Sequence, residues 1–123
     1  MVGFPKSKRA VDKNYTDNIH KHLLCIVVGC CGESWAHHIT AYGFGGMGMK
    51  PDDYMTMPLC VFHHAEVHAD FKNFEKYNRS QKFYIQRTLG LTLERGWIGK
   101  NIYNKYMKIT NKIQVKKWKS MNL

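Results

Sequence analysis

The sequence predicts an α+β domain: two short strands joined by a shaped loop, a helix carrying metal-binding side chains, and further helices beyond it. Three observations carry this reading. Residues 60–68, CVFHHAEVH, pack one cysteine and three histidines into a single short stretch. Upstream, YGFGGMGMKPDD at 42–53 holds too much glycine and proline for a regular helix and reads as a connection between two strands. From Ala69 onward the apolar residues recur with a helical rhythm.

A chain of 123 residues accommodates one domain with a modest core, a size at which a metal staple is often added. Nineteen Lys and Arg against nine Asp and Glu give a formal charge of +10, which points to a polyanionic partner, nucleic acid before membrane. The start, MVGFPKSKRAVDKNY, lacks the apolar core of a secretory signal, and LLCIVV is too short to span a bilayer. The expectation is an intracellular, cytoplasmic protein with no membrane partner. In a reducing compartment, Cys25, Cys30, Cys31 and Cys60 are better read as metal thiolates than as two disulfides. No internal repeat is present. Three zones follow from composition: a polar, basic N-terminal arm at 1–22, a chemical core at 23–75, and a helical, basic C-terminal extension at 76–123.

Taken in order, Trp35 to Ala41 reads as a short strand, and a second strand precedes Cys60. Residues from about Val61 to Asp70 are expected to be helical, with Phe62 and Val67 on the buried side and Trp35 beneath the hairpin. Phe71 and Phe74 pair in the next helical segment. Ser80 is placed as the N-cap of QKFYIQRTL, which is expected to end at Gly90. A last helix follows Gly99. Its stripe of Ile98, Ile102, Tyr106, Ile109 and Ile113 has the spacing of a buried face, while Lys108, Lys112 and Lys116 fall on another. From Arg95 to the end there are eight basic residues and no acid, a surface suited to tracking phosphates. Trp118 among these lysines could stack on a base or pack on the body. His20 and His22 read as surface residues, and Met47, Met49, Met55 and Met57 as core or gap-filling residues.

On a helix successive residues turn by about 100°, so His64 and His68 share a face while His63 points elsewhere. The neighbours must therefore serve different sites. Cys60 and His63 resemble one half of a structural zinc site, and Cys25 with Cys30 supplies the other half, Cys31 being the rival of Cys30. Such a closed Cys3His site would staple the first turn to the helix. A second site needs a further ligand for His64 and His68, and WAHHIT at 35–40 offers His37. A three-histidine site keeps coordination positions open for substrate, which is how catalytic metals differ from structural ones. His38 then remains free as a general base. Adjacent residues on a regular strand point to opposite faces, so His37 and His38 can reach one site only across a bulge, a twist or a strand end.

The order Cys-x4-Cys, AHHI, a glycine-rich loop with KPDD, and PLC followed by xxHHxxxH resembles the HNH (ββα-metal) nucleases. The likeness is greatest to the small phage and prophage branch that includes recombination-enhancing nucleases, and it covers about residues 23–75. The resemblance implies a β-hairpin packed on an α-helix around one catalytic ion, and hydrolysis of DNA phosphodiesters. His37, His64 and His68 would hold that ion, and His38 would activate water. The knuckle found in some members matches Cys25, Cys30, Cys60 and His63. The family's middle Asn has no counterpart here; Asp53 falls nearest, with Asp52 beside it, and either orients His38 or approaches the metal.

Both routes lead to one mechanism. The ion stabilises the charge developing on the phosphate, His38 takes a proton from the attacking water, and Lys50 holds the scissile phosphate or stands exposed on its loop. Three neutral imidazoles favour Zn²⁺, Ni²⁺ or Mn²⁺ on affinity, and Mg²⁺ competes by abundance. A homodimer would be the simplest means of cutting both strands. The competing reading is a zinc-stabilised DNA-binding module that cuts nothing; in that protein His38 is dispensable.

Overall fold

The computed structural model describes residues 9–42 and 51–115. Lys50, Lys116, Trp118, Met47 and Met49 lie outside the described residues. Among those described, the chain forms a mixed α+β fold of five helices and one two-stranded antiparallel sheet. The order is α1 (Lys13–His22), β1 (Trp35–His38), β2 (Thr56–Leu59), α2 (Val61–Ala69), α3 (Phe71–Tyr77), α4 (Gln81–Glu94) and α5 (Lys100–Asn111). None of these helices is long and apolar enough to cross a membrane.

The sheet is short, four residues to a strand. Its register sets Trp35 against Leu59, Ala36 against Pro58, His37 against Met57 and His38 against Thr56. All four residues of β2 are buried, so this strand is the floor of the core rather than a two-faced surface strand. Pro58 has no N–H to give the ladder, but its carbonyl accepts from the Ile26 N–H at 2.9 Å and so ties in the preceding loop. That loop, residues 25–32, is pinched shut by the Leu24–Glu33 bridge and by the Cys25 N–H bond to the Gly32 carbonyl, 3.0 Å.

The described part of the supposed N-terminal arm is no free arm. Asp12 caps α1 by accepting the Tyr15 N–H, and Tyr15 and Ile19, four apart, are buried on the sheet with Leu23. Charge concealed this face, because the basic residues lie between its apolar ones. One core cluster joins Tyr15 and Ile19 of α1, Met57 and Leu59 of β2, Val67 of α2, and Ile85 and Leu89 of α4, and so crosses all three compositional zones.

Several elements start and stop as their residues dictate. Ser80 caps α4 through the Phe83 N–H at 3.0 Å, and Gly99 precedes α5. The stripe runs past both ends of α5: Ile98 before it, Tyr106 within it and Ile113 after it are buried, Ile102 and Ile109 are half-buried, and Lys108 and Lys112 are exposed. Three expectations fail. The α4 helix runs through Gly90 to Glu94, because Leu89 before the glycine and Thr92 beyond it are both buried and hold the extra turn. Phe62 is exposed while Val67 is buried: five residues at about 100° each place them some 140° apart, so one face cannot bury both. Trp35 is not beneath the hairpin; it is 43% exposed and stacks on His20, with ring centroids 5.0 Å apart.

Candidate metal centres

The α2 helix carries ligands for two separate clusters. Cys60 occupies its N-cap, where the thiol sulfur accepts from the His63 N–H at 3.5 Å, and the next residues spiral away from it. Together with Cys25 and Cys30, Cys60 and His63 present four ligand atoms that all lie within 4.8 Å of one another. The donor set can be tested for fit. A tetrahedral ion with sulfur at ~2.3 Å and nitrogen at ~2.0 Å separates its ligands by about 3.8 Å (S–S) and about 3.5 Å (S–N). Here Cys30 and Cys60 sulfurs are 3.9 Å apart, and His63 Nδ1 lies 3.4 Å from Cys25 Sγ and 3.3 Å from Cys60 Sγ. These three separations match those around a tetrahedral ion, so the four residues could hold a metal.

Its thiols are already differentiated. Burial pushes Cys25 up to about 11, whereas Cys60, although burial acts on it upwards too, is held below its ordinary value by the His63 N–H and by the neighbouring thiols. Gly32 makes the close approach possible: a Cβ there would stand 3.0 Å from Cys60 Cβ. Cys31 is exposed and lies outside the cluster that includes Cys30. All four cysteines are free, with no disulfide between them.

The second cluster is His37, His64 and His68, again with ligand atoms within 4.8 Å. His64 and His68 meet at the i, i+4 spacing of α2, and β1 delivers His37 edge-on to both rings, with centroids 4.7 and 5.2 Å away. His37 is 2% exposed, and burial, followed by the charge of His64 and His68, lowers it to about 3, so its imidazole is neutral and can donate a lone pair. His68 is exposed and His64 half-buried. The cluster thus opens on one side into a pocket of about 400 Å³.

His38 borders the same pocket. The strand is regular over these residues, and pairing continues past His38 through the Ile39 N–H bond to the Met55 carbonyl at 3.0 Å; His38 lines this pocket and also a second groove beside α1. Its Nε2 lies 2.8 Å from Asp53 Oδ1. Asp53 is 3% exposed and fully engaged: Oδ1 also accepts from Arg9 Nη2 at 2.7 Å, and Oδ2 from the Asp12 N–H at 2.8 Å. Burial alone would raise its carboxyl, but the bonds to His38 and to the Asp12 N–H, with the Arg9 charge, hold it below the ordinary carboxylate value. Asp53 belongs to neither cluster, and Asp52 turns away to accept from Tyr106 Oη at 2.6 Å and from the Ala10 N–H at 2.9 Å. Lys108 and Lys112 line neither this pocket nor the clusters.

Two groups of supporting residues gave no signal in the sequence. The buried Gln81 clamps the strand exit, its amide accepting from the Thr40 N–H at 2.9 Å and donating to the Thr40 carbonyl at 3.0 Å, while the Thr40 hydroxyl stands 3.4 Å from His37 Nε2. Glu75 in turn accepts from the Gln81 N–H at 2.8 Å and from the Tyr42 hydroxyl. Arg9 and Asp12 support Asp53 from the N-terminal side. Only the spacing of Tyr15 and Ile19 behind an Asp cap hinted that this segment folds.

Fold and site define an α+β domain with two metal-competent clusters on one helix. A family model described as "Protein of unknown function (DUF968)" matches residues 2–96, and the chain belongs to that family. It is also 38% identical over 98 residues to the uncharacterized protein YdfU of Escherichia coli (strain K12). The match takes in 78% of this chain and 27% of that relative, so the chain spans about a quarter of its length. No solved structure matches the chain.

Proposed function

We propose that the protein is a metal-dependent endonuclease of the HNH type that hydrolyses DNA phosphodiester bonds, with a structural Zn²⁺ held by Cys25, Cys30, Cys60 and His63. His37, His64 and His68 would hold a catalytic divalent ion. One observation carries the reading: an imidazole outside both clusters, His38, is fixed by a buried carboxylate at the edge of the pocket into which the three-histidine cluster opens. The motif order AHHI, KPDD and CxxHHxxxH, with its resemblance to small phage and prophage HNH nucleases, supports a role in phage or prophage DNA processing or recombination. The donor set fits the metal assignment, since neutral imidazoles suit Zn²⁺, Ni²⁺ or Mn²⁺, and Mg²⁺ by abundance.

When bound, such an ion supplies Lewis-acid stabilisation of charge on the phosphate. The rest falls to the chain. Asp53, ionised, can only accept hydrogen bonds, so it takes the Nε2–H of His38 and leaves Nδ1 as the ring's free acceptor. That nitrogen takes a proton from water as the water's oxygen attacks phosphorus; the bond from phosphorus to the 3′ oxygen breaks, and the departing oxygen takes a proton from a water molecule. Arg9 and the Asp12 N–H keep the carboxylate from rotating, so the imidazole is oriented before substrate arrives. Lys50 would meet a phosphate, and Lys108, Lys112 and Lys116 the flanking backbone; a homodimer would serve to cut both strands.

The test is incubation of the zinc-replete protein with supercoiled, linear and single-stranded DNA under a panel of divalent ions, with His38→Ala alongside. The variant is expected to cut about 10²- to 10⁴-fold more slowly while keeping fold, zinc content and DNA binding. Undiminished cutting by His38→Ala overturns the base assignment, and no cutting by the wild type under any ion leaves a zinc-stabilised DNA-binding module.

A further inference from the structure

A second groove, of about 450 Å³, lies on the other side of His38, between α1 and β1. Arg9, Val11, Lys13, His20, Trp35 and His38 line it. Its chemistry differs from that of a phosphate track. Arg9 is paired with Asp53, and Lys13 with Asp17 at 3.7 Å, so the two cations in the groove meet two carboxylates. What remains unpartnered is apolar: Val11 is 66% exposed and Trp35 43% exposed. The indole is also held in place. His20 stacks on it at 30° between planes, and His20 Nδ1 is bonded to the Ser34 carbonyl at 2.6 Å, which anchors that ring against the indole.

We infer that this groove takes the flat face of an unpaired nucleobase, stacked on Trp35, from the strand whose phosphate lies at His38. In a duplex the base faces are covered and the phosphates lead; a near-neutral aromatic groove suits a base that has left its stack. From His38 back to Trp35 is three residues of strand, about 10 Å at ~3.3 Å each, so a base on the indole would belong to the same short stretch of strand as the phosphate at His38. The assignment rests on the nuclease reading for its substrate class and narrows that class to DNA that is single-stranded or opened beside the cut.

Binding tests it without cleavage. In the zinc-replete His64→Ala background, which leaves the groove lining intact, fluorescence anisotropy compares a labelled single-stranded oligonucleotide with a duplex of the same sequence, for Trp35, Trp35→Phe, Trp35→Leu and Trp35→Ala. Single-stranded DNA is expected to bind more tightly than duplex. Trp35→Ala should weaken that binding about 5- to 150-fold, the range of one lost base stack, and Trp35→Phe should retain most of it. Trp35→Leu keeps an apolar contact for His20 without a π face, so a folded Trp35→Leu protein with full single-strand affinity overturns the inference. Equal affinity for duplex and single strand overturns it as well. The two readings fail separately: plasmid cutting by the wild type with no Trp35-dependent binding removes the groove alone, and Trp35-dependent binding without cutting removes the nuclease alone.

Discussion

The two histidine-containing clusters share a helix yet differ in almost every physical respect. Cys25 and Cys60 are buried, and Gly32 packs so closely against Cys60 that a Cβ there would stand 3.0 Å from Cys60 Cβ. The three-histidine cluster instead has one buried ring, one half-buried and one exposed, at the rim of an open pocket. The difference arises from one residue step. His63 and His64 are adjacent, and about 100° of helical rotation sends one towards the thiols and the other towards β1. Four donors closed around a point suit a permanent structural ion, whereas three donors open on one side leave room for a reactant.

The largest effect should come from breaking the closed cluster. Cys60→Ser is expected to release the metal and unfold the domain, because structural zinc contributes on the order of 10 kcal/mol in small zinc-folded peptides. His64→Ala is the matched change on the same helix: fold and structural zinc should persist, while cleavage drops on the order of 10³-fold with the loss of several kcal/mol of charge stabilisation. Metal content, thermal melting and plasmid cleavage measured on both variants decide the contrast. If both unfold, or both keep cutting, the division between anchor and reactive centre is wrong.

A smaller effect should follow from Asp53→Asn, which keeps the shape of the side chain and removes its charge. Cleavage is expected to fall about 10²-fold, since an amide can no longer dictate which His38 nitrogen carries the proton. The change also has a pH signature. The folded carboxyl is held below its ordinary value of 3.8, so its charge contributes stability that is complete above that value and is lost as the pH falls through the lower, folded one. The stability gap between wild type and Asp53→Asn should therefore be widest near neutrality and shrink in acid, as read from paired denaturant titrations. A gap independent of pH would mean that hydrogen-bond geometry, not charge, is what Asp53 provides.

The smallest expected effect is a control remote from both clusters. At Gly90 of α4 an added Cβ meets nothing within 4 Å, and the residue is helical. Gly90→Ala should stabilise the fold by about 0.5–1 kcal/mol, seen as a higher melting temperature, without altering metal content or cleavage. A change in cleavage would show that the reactive centre responds to global stability and would blur the comparison.

Local spacing was enough to separate the ligand sets. The i, i+4 relation of His64 and His68, the i, i+3 relation of Cys60 and His63, the Ser80 cap and the stripe of α5 all follow from helical geometry, which is fixed by the backbone and not by distant contacts. The mixed α+β class was legible for the same reason. Spacing says nothing about which surfaces meet. Only tertiary structure placed Cys30 and not Cys31 in the thiol cluster, turned Asp53 towards His38 and Asp52 towards Tyr106, docked α1 through Tyr15 and Ile19, carried α4 past Gly90, and left Trp35 exposed. Arg9 and Gln81 act on partners more than forty residues away, a pairing set by how the chain closes on itself and not by any pattern along it.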